Sequence, residues 1–180
     1  MGVTATWGHV LLDASCIISF CQAGHVAYLH RFLDRRGYIT EDVEREVGRN
    51  AASQHLVPRM RWPCVLPHVP ELLSESVRLA RASQGPGDHP KKNLGEISTT
   101  LMAQHLGNAG VIMDDQYGKH LCDQRGVARI STPQLVGELV VARAIPPDDA
   151  ASVLVAALPD RATTIEIQRR IDYWCRCSSE

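Results

Sequence analysis

The sequence predicts an α/β domain with a mostly parallel central sheet, on three observations. Val10-Leu11-Leu12 and Val111-Ile112-Met113 are apolar runs of strand length, and each stops at an aspartate. Longer stretches with apolar residues at helical spacing lie between and after them. The resulting order of strand, helix, strand, helix suits right-handed crossovers joining parallel strands. At 180 residues and 44% hydrophobic, the chain is long enough for one domain with a sizeable core and short for two.

The elements follow in order. After Asp13, the stretch from Cys16 to Leu33 carries Ile17, Phe20, Cys21, Val26, Leu29 and Leu33, so a strand, a tight turn and a helix are expected. Gly37 breaks the chain, and Tyr38-Ile39 leads into Thr40-Glu41-Asp42, an N-cap with acids in the first turn of a short helix carrying Val43 and Val47. Trp62 to Pro67 is an apolar run bracketed by prolines, which fits an edge strand because proline donates nothing to a ladder. Glu71 to Ala82 has a helical pattern. Ser83 to Lys92 concentrates Gly, Pro and polar residues and reads as an exposed loop. Asn93 opens a helix running to about His105, with Ile97, Leu101 and Leu106 facing a core. Tyr117 to Arg125 is a short helix closed by Gly126, Ala128 to Ser131 a last strand, and Thr132-Pro133 the start of another helix. From Ile145 onward, Asp148 to Leu158 and Arg161 to Cys175 are two helical patterns separated by Pro159. The expected organisation is a domain over residues 8–144 with a C-terminal helical extension, 145–180, packed on it.

Composition narrows the function classes. A net charge of -1 with a pI near 6.7 lacks the basic excess of many nucleic-acid binders, so any such contact must come from local clusters. Cys16, Cys21, Cys64, Cys122, Cys175 and Cys177 are dispersed without a CxxC pair, which argues against a zinc ribbon or a disulfide scaffold. The N-terminus has no basic start, and its most apolar stretch, Val10 to Phe20, is interrupted by Asp13. Gly2 and Thr6 fit a short lipidation pattern that no second membrane signal accompanies. A soluble cytoplasmic protein without membrane contact is the expectation.

The acids that end the strands carry the chemistry. In a parallel α/β sheet, ligands collect at the carboxyl ends of the strands, so Asp13 and Asp114/Asp115 should converge although distant in sequence. Glu96 sits in the first turn of the helix feeding the Val111 strand, and Glu46 lies on the earlier helix. Clustered carboxylates repel and are costly to bury, and a divalent cation resolves the conflict. Oxygen-only donors favour Mg²⁺ or Mn²⁺ over zinc. Each acid also has an ordinary structural role open to it. Asp13 with Ser15 can cap the following helix, Glu96 can be half of a capping box with Asn93, Asp114-Asp115 can be a polar turn, and Glu46 can be one solvated acid among Glu41, Asp42 and Glu44. Lys91 and Lys92 precede the helix start at Asn93, where their charges and the helix amides can face a substrate phosphate. A solubilising loop accounts for them equally well.

Taken together and in order, V-L-L-D-A-S (Val10 to Ser15), Glu46-Val47, L-G-E-I (Leu94 to Ile97) and V-I-M-D-D (Val111 to Asp115) resemble the PIN-domain family over Gly8 to about Leu139. The resemblance implies a three-layer α/β/α fold and a Mg²⁺- or Mn²⁺-dependent endoribonuclease of the toxin type. Asp13, Glu46, Glu96 and Asp115 would be its catalytic metal-binding acids, Asp114 a fifth ligand and Ser15 a supporting group. It further implies an RNA substrate, an antitoxin or other regulatory partner, and a homodimer. Glu96 departs from the family, many of whose members carry Asp there, and nothing in the resemblance accounts for residues 145–180. The competing expectations are a catalytically silent PIN-fold module that docks RNA or protein and, less favoured for want of a D-x-D motif, a small-molecule phosphatase.

Overall fold

The computed structural model describes residues 2–55, 62–87, 92–158 and 162–178. Five strands, β1 (His9–Leu12), β2 (Gly37–Thr40), β3 (Cys64–Leu66), β4 (Ala109–Ile112) and β5 (Ala128–Ile130), form one parallel sheet in the order β3-β2-β1-β4-β5. β1 is central, with Leu11 beside Tyr38 of β2 and Val111 of β4.

Nine helices flank the sheet among the described residues: α1 (Ala14–Gln22), α2 (Val26–Leu33), α3 (Glu41–Val47), α4 (Pro70–Ser83), α5 (Leu94–Leu106), α6 (Gln116–Arg125), α7 (Thr132–Val141), α8 (Pro147–Ala157) and α9 (Thr164–Cys177). Alternation along β1 sorts them into two layers, because successive strand side chains point to opposite faces. Val10 and Leu12 enter one core with Ile17, Phe20, Leu135 and Val153; Leu11 enters another with Val111, Met102 and Cys122. Both faces of the sheet are therefore covered, giving the expected α/β architecture in three layers.

Ile145, Val153, Leu154, Ile167 and Ile171 are buried in the same core as Val10 and Leu12, so α8 and α9 help close one face of the sheet. Each such side chain contributes about 1.5–3 kcal/mol on burial. No helix among the described residues is long and apolar enough to cross a membrane.

Two elements differ from the sequence reading. The single helix expected over Cys16 to Leu33 is two, α1 and α2, broken at Gly24 with φ of +77°. That left-handed backbone ends a helix, and glycine adopts it without steric cost. Tyr38-Ile39 is no mere lead-in; with Gly37 and Thr40 it forms β2, a strand of 4 residues, too short for a period to show. Thr40 nonetheless caps α3 as expected, its hydroxyl accepting the Val43 amide. Lys91, Pro159 and Arg161 lie outside the described residues.

Candidate active site at the carboxyl edge of the sheet

From β1 the chain winds to β2 and β3 on one side, then crosses to β4 and β5 on the other. The crevice beyond the carboxyl ends of β1 and β4 is the topological switch point, where an open parallel sheet receives ligands. Asp13 is the residue after β1, and its amide donates to the Ile112 carbonyl at 3.1 Å, locking it to the end of β4. Asp114 and Asp115 follow β4 by one intervening residue, Met113. Both acidic strand ends thus meet at one edge.

The glutamates come from helices. α3 packs against α5, and a side chain on Gly95 would begin 3.3 Å from Glu46 Oε2. The Glu46 carboxylate thus lies against the first turn of α5, where Glu96 feels its charge. Glu46 is exposed as a residue, yet its acidic end loses water there, and this desolvation raises its pKa against the opposing charge of Arg49.

Asp13 is 4% exposed and occupies the N-cap position of α1, but its side chain makes no cap bond. Its Oδ2 instead accepts a hydrogen bond from Ser15 Oγ at 2.7 Å. Burial raises its pKa to about 6 despite the Ser15 bond, with the charges of Glu46 and Asp114 adding to the rise. Burial also pushes Glu96 up to about 7, followed by repulsion from Asp13, then Asp115 and Glu46. Asn93 is left-handed, with φ of 62°, and makes no side-chain cap bond, so the capping box open to Glu96 does not form. Neither Glu46 nor Glu96 has a salt bridge or a hydrogen bond to another side chain among the described residues.

Asp114 and Asp115 do structural work. Asp114 Oδ1 accepts the Thr132 amide at 2.9 Å, tying the end of β4 to the start of α7. Asp115 is the N-cap of α6, its Oδ1 accepting from Tyr117 N at 2.7 Å and Gly118 N at 3.1 Å. The cap role and the electrostatic role coexist in Asp115, since Glu96 still feels its charge.

A cleft of about 380 Å³ opens at the two glutamates, lined by Arg45, Glu46, Arg49, Lys92, Asn93 and Glu96 among others. Lys92 and Asn93 line the same cleft as Glu96. The donors are all oxygen, the chemistry that suits a hard divalent ion, and Asp13 feels the charges of Glu46 and Asp114 while Glu96 feels those of Asp13, Asp115 and Glu46. As they stand, no three His, Cys, Asp or Glu side chains among the described residues are gathered tightly enough to hold a metal ion.

Sequence reading missed Gly95, Arg45 and Arg49 as parts of this site. The glycine directly preceding Glu96 and the arginine three residues after Glu46 were the available signals; their meaning depends on α3 packing against α5. Fold and site together define an α/β domain with an acidic crevice at its switch point. Comparisons with protein-family models, curated proteins and solved structures return no match.

Proposed function

We propose that this chain is a PIN-type nuclease, a Mg²⁺- or Mn²⁺-dependent endoribonuclease acting as the toxin of a toxin-antitoxin pair. One observation carries the metal-dependent reading: carboxylates from four separate segments are brought to one edge, where Asp13 and Glu96 repel each other without an ion-pair partner among the described residues. Uncompensated buried charge costs stability, and a divalent cation is the group that would offset it. Bound there, the ion would activate water and neutralise charge developing on the phosphodiester.

In this reading the chain's own residues divide the labour. Ser15 orients Asp13. Glu46 and Glu96, with long arms and no side-chain partner among the described residues, would complete the ligand set. Asp114 and Asp115 hold the opposite wall through their bonds to α7 and α6. Lys92 and Asn93 face the phosphate. RNA as the substrate, an antitoxin partner and a homodimer rest on the family resemblance of the motifs.

The test is Mn²⁺ titration by calorimetry on the wild type and on Asp13→Asn/Asp115→Asn, followed by RNA cleavage on the same samples. Specific binding and cleavage, both lost in the variant, are expected. Cleavage that survives the variant and chelation overturns the proposal. A second reading, a silent module that docks RNA or protein, is favoured by the cap bonds that already engage Asp114 and Asp115. Absence of Mn²⁺ binding in the wild type would select it.

A further inference from the structure

The cleft that Lys92 lines also holds two arginines in different circumstances. Arg45 is committed: its guanidinium lies 2.8 Å from Asp42 Oδ1 and 3.1 Å from His68 Nε2. Arg49 has no side-chain hydrogen bond or ion pair among the described residues, and it is exposed at the cleft. Its amide donates to the Glu46 carbonyl at 3.1 Å, so the turn that follows α3 ties its backbone to Glu46. Its charge registers on the Glu46 carboxylate.

We infer that Arg49 is a phosphate-binding residue, which holds a backbone phosphate of a nucleic-acid strand in the cleft beside Glu46 and Glu96. This rests on the nuclease reading above and adds the residue that positions the strand. A guanidinium presents a planar fork of donors matched to two phosphate oxygens, and an uncommitted one beside a carboxylate cluster offsets the repulsion a polyanion would meet there. The cleft volume falls in the range of roughly 300–1,000 Å³ typical of small-ligand sites, so about one nucleotide fits at a time. Among the described residues no aromatic side chain lines it, so contact through the backbone rather than base stacking is expected. Arg49 should therefore act alike on every base sequence.

The experiment measures fluorescence anisotropy of the full chain with a labelled single-stranded 15-mer RNA, the same sequence as DNA, and its duplex. It uses Ca²⁺ to hold binding without turnover, at several salt concentrations. The variants are Arg49→Gln and Arg49→Lys, with thermal melting of each as a folding control. Arg49→Gln is expected to bind about 10-fold more weakly, equally for different base sequences, with the salt slope reduced by about 0.7 for a single strand. Arg49→Lys should recover most of the slope and only part of the affinity, since it keeps the charge and loses the fork. Whichever of the three probes binds tightest identifies the strand chemistry. Wild-type binding and cleavage with Arg49→Gln unchanged in affinity and slope would overturn this inference while leaving the nuclease reading intact. A wild type that neither binds nor cleaves any of the three would overturn both.

Discussion

Glu75 and Asp123, on the outer helices α4 and α6, are the same chemical groups as Asp13 and Glu96 in opposite circumstances. Arg125 and Arg78 hold Glu75 below the usual carboxylate range, and the Arg129 fork, at 2.9 and 2.8 Å, does the same for Asp123. These acids meet solvent and a guanidinium. Asp13 and Glu96 meet apolar burial and other acids, and are pushed up to about 6 and about 7. The paired acids favour the fold weakly, because exposed ion pairs are screened. Asp13 and Glu96, without an ion-pair partner among the described residues, oppose it when ionised.

That contrast can be broken first in activity. If the switch-point acids are the working groups, Asp13→Asn should cut RNA cleavage by at least about 100-fold, whereas Asp123→Asn should leave it unchanged. Initial rates on one RNA substrate in Mn²⁺ decide this, and equal rates for the two variants would erase the distinction.

The next effect is in stability and has the opposite direction. The fold prefers protonated Asp13, so its favourable contribution is complete below about pH 4 and is lost as pH rises through about 6. Metal-free Asp13→Asn escapes that loss. It should be more stable than the wild type at pH 8 by about 1–3 kcal/mol, or several degrees in melting temperature, with the gain gone at pH 4. Saturating Mn²⁺ should stabilise the wild type and leave the variant where it was. Paired melting curves across pH, with and without metal, check both halves.

Ser15→Ala sharpens the comparison from within the site. The Ser15 hydroxyl holds the Asp13 pKa down, so its loss should raise that pKa further and move the acid limb of the pH-rate profile upward, with a loss of roughly 10-fold at neutral pH. An unshifted limb would mean that the hydroxyl does not govern Asp13. The smallest effect belongs to the outer layer: Glu75→Gln should lower the melting temperature by no more than about 3 °C and leave cleavage untouched.

Much of this was legible in the chain. The runs ending at Asp13 and Asp114 announced strands because a buried parallel strand reads as consecutive apolar residues, and Thr40, Gly126 and Pro133 marked helix ends by local chemistry alone, whereas Ser131, read as the end of a strand, is the N-cap of α7. β2 was not legible, since its 4 residues earn their place from neighbours on both sides. The break at Gly24 was hidden because Val26, Leu29 and Leu33 continue the spacing begun by Ile17 and Phe20; both helices bury their apolar side in one core.

The sequence by itself determined the fold class and the identity of the acids, because strand ends and helix starts are set by short-range patterning. Only the tertiary structure decided what each acid does. Whether Glu96 closes a capping box or stands unpaired depends on the left-handed turn at Asn93. Whether Glu46 is a solvated surface acid or a neighbour of Glu96 depends on α3 meeting a helix that carries glycine at position 95. Electrostatic coupling follows distance through space, and the distances between segments as remote in sequence as those of Asp13, Glu46 and Asp115 exist only once the sheet has assembled them.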